Sequence, residues 1–127
     1  MTVTLNHTII HASDPAATAD YYTEILGLPP SFRYGPFVVV QVGETSLDFS
    51  ATDDAIASRH FAFLVSEAEF DEIFTRITDR GIDHWADPYR RQPDQINTRD
   101  GGRGVYFPDP DGHLLEILTR PYGSGSA

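Results

Sequence analysis

The sequence predicts an α+β fold of two tandem β-α-β-β-β modules, and three observations carry that expectation. The chain nearly repeats itself: LNHTIIHASDPAATADYYTEILGL near the N-terminus is echoed by RHFAFLVSEAEFDEIFTRITDRGI further on. In the echo His7 matches His60, Ser13 matches Ser66, Tyr21 matches Phe74, and Gly27 and Gly81 close the two copies. Within each copy the hydrophobic period runs from a strand-like alternation to a helical one and back to short β segments. The length, 127 residues, suits one core but not two independent ones, so the modules are expected to fold against each other. Residues 1–122 read as a single domain with modules at about 4–52 and 58–120, and GSGSA at 123–127 as a flexible tail.

In the first copy TVTLNHTIIHA alternates in the manner of a strand. Asp14-Pro15 reads as an N-cap followed by proline at the first helical position, where a missing N–H costs nothing. Ala17, Tyr21 and Ile25 recur at helical spacing, and Gly27 is a left-handed stop. SFRY, PFVVVQV and TSLDFS follow as three short strands, parted by Gly-Pro and Gly-Glu turn signals. In the second copy HFAFLV is a strand and Ser66 stands at capping-box spacing from Glu69. Phe70, Ile73, Phe74 and Ile77 then make an apolar helical stripe that ends at Gly81. HWADPYR, GVYF and HLLEILT supply three more strands, the last two joined by PDPDG.

Composition removes several function classes. Nineteen acids face nine arginines and no lysine, a formal charge of -10, so the chain should repel phosphate backbones and anionic lipid. Nucleic acid and membrane surfaces are therefore not expected partners. The absence of cysteine removes disulfides, thiolate metal sites and thiol nucleophiles. No charged region leads into an apolar run at the N-terminus and no apolar stretch nears membrane-spanning length, which reads as a soluble, cytoplasmic protein.

The two-residue period of the strands decides where polar groups point. Phe61, Phe63 and Val65 share one face of their strand, with His60, Ala62 and Leu64 on the other. Leu115 and Ile117 oppose Leu114, Glu116 and Leu118, and Leu47 and Phe49 oppose Ser46, Asp48 and Ser50. The fully apolar faces suit the helices, so the histidines and acids belong to the opposite face, where they can converge inside a curved sheet. Two imidazoles and a carboxylate with open positions form a donor set that lets a divalent metal bind substrate. His7, His60 and Glu116 give that set, and Glu116 is ionisable within LLEIL, where a charge needs a partner. Asp48, the repeat-mate of Glu116, is a fourth possible ligand. Each also has a structural reading: a strand histidine held by hydrogen bonds, Glu116 paired with Arg103, Asp48 a polar residue beside a turn.

Modules opened by His7 and His60, with YFPDPDGHLLEI near the end, resemble the vicinal oxygen chelate superfamily over about residues 4–120. That superfamily includes glyoxalase I, fosfomycin resistance proteins, bleomycin-binding proteins, extradiol dioxygenases and methylmalonyl-CoA epimerase. The resemblance implies a cupped mixed sheet with its helices outside and a divalent ion at its centre, chelating oxygens of a small substrate. It places His7, His60 and Glu116 on ligand positions of the first, fifth and eighth strands, and sets Asp48 where glyoxalase I carries glutamate. Zn, Ni, Mn, Fe and Co all accept such donors. A homodimer is expected from the sheet edges and the duplicated plan, as in many relatives.

Within the superfamily, glyoxalase-like isomerase or lyase chemistry is the favoured expectation, with Glu116 or Asp48 moving the proton. Tyr106 precedes Glu116 as the catalytic tyrosine of extradiol dioxygenases does, but Asn97, Thr98 and Arg99 stand where those enzymes carry a histidine. His84 or His11 would have to replace it in space. Arg90, Arg91, Arg99 and Arg103 cluster between Asp87 and Gly104, either as a lid for an anionic substrate or as a solvated loop balancing acids. Trp85 and Tyr89 either line the cavity mouth or pack in the core. The expected pocket residues are thus His11, His84, Trp85 and Arg103, with Glu116 and Tyr106 as catalytic groups. The rival reading is a bleomycin-resistance-type protein whose acidity suits sequestration of a small cationic ligand.

Overall fold

The computed structural model describes residues 2–125, so Ser126 and Ala127 of the expected tail lie outside the described residues. The chain divides into two compact units, Met1–Ala57 and Ser58–Ala127, which correspond to the two halves of the repeat.

The first unit contains β1 (His7–Ala12), α1 (Pro15–Leu26), β2 (Phe32–Tyr34), β3 (Phe37–Val42) and β4 (Thr45–Ala51). Its sheet runs β1-β4-β3-β2, with β1 parallel to β4 and the other pairs antiparallel. β1 is shorter than TVTLNHTIIHA suggested, since Val3 and Leu5 stand exposed ahead of it. α1 starts as its sequence dictates: the Asp14 carboxylate accepts the Ala17 N–H at 3.2 Å, and Pro15 takes the first turn. Gly27 closes it at a φ of 70°, a left-handed conformation that glycine adopts without strain.

The buried face of α1 is Thr18, Ala19, Tyr22 and Ile25, so of the expected Ala17, Tyr21 and Ile25 only Ile25 is buried. Two adjacent tyrosines satisfy the helical period almost equally, so packing decides between them. The Tyr22 ring lies 4.8 Å from the ring of Phe49 on β4, whereas Tyr21 is only half-buried. Ile10, Val38, Val40, Leu47 and Phe49 complete this apolar layer.

The second unit contains β5 (His60–Leu64), α2 (Glu67–Asp79), β6 (Gly104–Pro108) and β7 (Leu114–Leu118), with a short helical turn at Arg99–Gly101. Its sheet runs β5-β7-β6, again with the first pair parallel and the second antiparallel. The strand expected at HWADPYR shrinks to Trp85 alone, which exchanges both backbone hydrogen bonds with Tyr106, at 2.8 and 2.9 Å. The chain cannot continue as a strand because the Asp87 carboxylate accepts the Arg91 and Gln92 N–H groups and reverses it. Pro88 offers no N–H to a ladder, and Arg90 takes a φ of 60°. Glu116 therefore lies on the seventh strand rather than an eighth. Phe70, Ile73 and Ile77 of α2 join Val105, Phe107, Leu115 and Ile117 as the buried apolar residues of this unit.

α2 opens with both halves of a capping box: Ser66 Oγ accepts the Glu69 N–H at 3.1 Å, and Glu69 Oε1 accepts the Ser66 N–H at 2.8 Å. Ser66→Ala is expected to cost about 1 kcal/mol at neutral pH, read as a lower urea midpoint with unchanged slope. The bond from the Ser66 backbone, then that with its side chain, holds the Glu69 carboxyl below its ordinary 4.5. A lowered value means that the carboxylate's share of stability is present above pH 4.5 and lost as the pH falls below it. Glu69→Gln and wild type should therefore converge in midpoint on acidification.

Candidate metal centre and its hydrogen-bond network

In the first unit the register sets His7 opposite Ser46 and Ile9 opposite Asp48, so His7, Ile9 and His11 share the sheet face away from α1 with Ser46, Asp48 and Ser50. On the same face β3 contributes Val39 opposite Asp48 and Gln41 opposite Ser46. The result is an open cavity of about 390 Å³ floored by His7, Gln41, Ser46 and Asp48 and walled by Phe32, Tyr34 and Phe37. His7 Nδ1 lies 2.7 Å from Asn6 Oδ1, and Ser46 donates to Asp48 at 3.0 Å. The structure thus brings His7 and Asp48 to one cavity, while His11 lies further along β1, opposite Ser50.

In the second unit one row crosses the sheet: Ala62 on β5, Glu116 on β7, Tyr106 on β6, then Trp85. Glu116 is 1% exposed, and nothing aliphatic compensates a buried carboxylate. Its partners are Tyr122, whose hydroxyl donates toward Oε1 and Oε2 at 2.7 and 2.8 Å, and His60, whose Nε2 is 3.1 Å from Oε1. The His60 ring is oriented by strand pairing, because Nδ1 sits 3.0 Å from the carbonyl of Leu114, its register partner. A carbonyl only accepts, so Nδ1 carries a proton and Nε2 faces the carboxylate. A neutral Nε2 and a carboxylate oxygen are both acceptors, and a proton or a metal cation reconciles them. An imidazole whose Nδ1–H is held by a backbone carbonyl is also the usual arrangement of a metal-binding histidine. The donor chemistry fits a divalent ion.

Tyr106 connects this pair to an arginine. Its ring stacks on His60 at 5.9 Å, and its hydroxyl accepts from Arg99 Nη1 at 3.1 Å and lies 3.1 Å from the Tyr122 hydroxyl. Hydrogen bonds therefore run from Arg99 through Tyr106 and Tyr122 to Glu116 and His60. Burial first, then the bonds to Tyr106 and Glu116 and the carboxylate charge, push the Tyr122 phenol far above its ordinary value. It stays protonated and donates.

The other expected pocket residues have different surroundings. Arg103 spends its guanidinium on α2, with Nε donating to Glu67 at 2.7 Å, Nη1 to Asp71 at 2.8 Å, and its plane over Phe70. Glu116 is therefore not its partner. His84 is buried edge-on against Phe74, with Nδ1 3.0 Å from the Ile82 carbonyl. Arg90 lies over the Trp85 ring and Arg91 over Tyr89, so the loop arginines disperse onto separate partners. Among the described residues no group of three or more histidine, aspartate or glutamate side chains is gathered as a metal cluster. Sequence reasoning missed Tyr122, placed just past the last strand, and gave Arg99 no role at Tyr106. An aromatic directly after a proline in a Gly/Ser-rich terminus was the available signal.

The family model described as Glyoxalase/Bleomycin resistance protein/Dioxygenase superfamily matches residues 4–117. The chain is 28% identical over 121 residues to Metallothiol transferase FosB of Shouchella clausii (strain KSM-K16), covering 91% of this chain and 79% of that protein. It is 26% identical over 124 residues to Glutathione transferase FosA of Serratia marcescens, covering 92% of this chain and 81% of that protein. Two solved structures are much more similar. Oxidase ChaP-H1 is 59% identical with a TM-score of 0.94, covering 96% of this chain and 99% of that one. Oxidase ChaP-H2 is 57% identical with a TM-score of 0.96, covering 99% and 100%.

Proposed function

The chain belongs to the Glyoxalase/Bleomycin resistance protein/Dioxygenase superfamily, and on that premise we propose that it is a metal-dependent oxidase acting on a small oxygen-chelating substrate. The observation that carries this reading is the buried Glu116 carboxylate 3.1 Å from an imidazole nitrogen whose ring partner is already committed to a carbonyl. The similarity to Oxidase ChaP-H1 and Oxidase ChaP-H2 favours redox chemistry over the isomerase chemistry that the sequence alone favoured. His60 and Glu116 are the proposed ligands in the second unit, and His7 and Asp48 are the candidate donors of the first-unit cavity. Imidazole and carboxylate donors suit ferrous iron, which supplies accessible redox states and open positions for substrate and oxygen.

The chain's own residues do the rest. The Leu114 carbonyl fixes the His60 tautomer, and burial keeps the Glu116 carboxylate from water. Tyr106 stacks its ring on the imidazole and, with its hydroxyl held between Arg99 and Tyr122, positions the phenol that reaches Glu116. The aromatic walls of the first-unit cavity would hold an apolar substrate body over polar His7, Gln41 and Asp48. We assign the functional unit to a homodimer, since β1 and β5 are sheet edges that leave Ile9 and Leu64 exposed.

The test loads the protein anaerobically with ferrous ion and follows oxygen uptake with vicinal dihydroxy compounds beside isomerisation of a hemithioacetal. Metal-dependent oxygen uptake, lost in His60→Ala, supports the oxidase. Isomerisation without oxygen uptake would establish the second reading, in which the Glu116 carboxylate moves a substrate proton. Failure to bind any divalent ion would favour a ligand-sequestering protein.

A further inference from the structure

Past β7 the chain makes a tight turn and comes back to the sheet loop at Arg99–Gly101. The Ser124 N–H and hydroxyl both donate to the Pro121 carbonyl, and Arg120 Nη2 donates to the Ser124 carbonyl at 3.1 Å. The Gly125 N–H then donates to Asp100 Oδ1 at 3.1 Å. Glycine is required at that last contact, because a Cβ there would collide with the Asp100 backbone. Four residues between Arg120 and Gly125 are thus pinned at both ends, and Tyr122 stands in the middle.

Tyr122 is an unusual anchor. The residue is 61% exposed, yet its hydroxyl reaches a carboxylate that is itself 1% exposed. One phenolic proton lies within hydrogen-bond distance of both Glu116 oxygens. More than half of the residue is exposed, and the hydroxyl bonds to Glu116 and the Pro121–Ser124 turn hold it in place. We infer that Tyr122 is a latch on the metal carboxylate. Segment 121–125 straps the phenol across Glu116, and a cation entering at Glu116 displaces that hydroxyl from at least one oxygen. Tyr122 acts through Glu116 and is a positioning residue. The inference rests on the metal reading above, and the following experiment separates the two.

Cobalt(II) is titrated into the full chain as wild type, Tyr122→Phe and Gly125→Ala, with binding read from the visible absorption of the bound ion. Gly125→Ala keeps every polar group of the site and pushes the strap off Asp100. One equivalent should bind to all three proteins, tighter by about tenfold in Tyr122→Phe, because no hydrogen bond to the charged carboxylate has to be given up. Gly125→Ala should shift in the same direction. Binding in all three with no tightening in either variant, tightening in only one, or weaker binding in Tyr122→Phe overturns the latch and leaves the metal reading standing. No cobalt bound by any of the three overturns the metal reading and the latch together.

Discussion

Glu116→Gln leaves the protein folded, with a Tm at or above that of wild type, and abolishes divalent-metal binding. Two different roles for this side chain make opposite forecasts, which is why the substitution is informative. Glu116 is 1% exposed, and removing a carboxylate from water carries an effective cost of several kcal/mol that the Tyr122 and His60 bonds offset only in part. Glutamine keeps the volume and an acceptor oxygen for Tyr122 but carries no charge, so that cost disappears. His60 is not stranded, since its side chain is 45% exposed and water can solvate it. The loss of metal affinity should exceed the roughly 10- to 100-fold expected when only a supporting partner of a ligand is removed. Were Glu116 merely the structural partner of His60, Tm would fall and metal binding would not change. Calorimetry and a metal titration on the same preparation distinguish these outcomes.

Phe49→Ala is the substitution with the largest expected effect on stability. Phe49 is fully buried, lies opposite Ile10 on one side and Val38 on the other, and packs its ring 4.8 Å from that of Tyr22. It therefore joins three strands and α1 at one point. Truncating it removes the transfer free energy of the ring and leaves a cavity that the two flanking strands cannot close, a loss of about 3–5 kcal/mol. For a chain of this length that lowers Tm by roughly 10–20 °C. Tyr21→Ala, one position from the residue that does pack, should cost far less. Equal losses at Tyr21 and Phe49 would show that the helix register described above is wrong.

Much of this was legible in the sequence because strands have a period of two. Once GVYF and HLLEILT are strands, Glu116 and Tyr106 fall opposite each other, and the apolar alternation of Leu115 and Ile117 sends Glu116 to the other face. The caps of both helices were readable for a similar reason: Asp14-Pro15 and Ser66…Glu69 are local chemistry that tertiary structure did not override. Features set by long-range contacts were not readable. The register of α1 was ambiguous between Tyr21 and Tyr22 until Phe49 selected one. Arg103 looked like a pocket cation until the acids of α2, more than thirty positions away, claimed it. The strand at HWADPYR failed on a side-chain bond from Asp87 that no alternation of apolar residues signals. Tyr122 escaped notice because a turn after Pro121, rather than any periodicity, carries its hydroxyl back to Glu116.

That the His60–Glu116 pair holds a metal ion is tested most directly by the metal content of the protein purified without chelator. One divalent ion per chain is predicted for wild type, with little or none in His60→Ala and Glu116→Gln. A wild-type protein that carries no metal and shows no thermal shift with any divalent ion would contradict it.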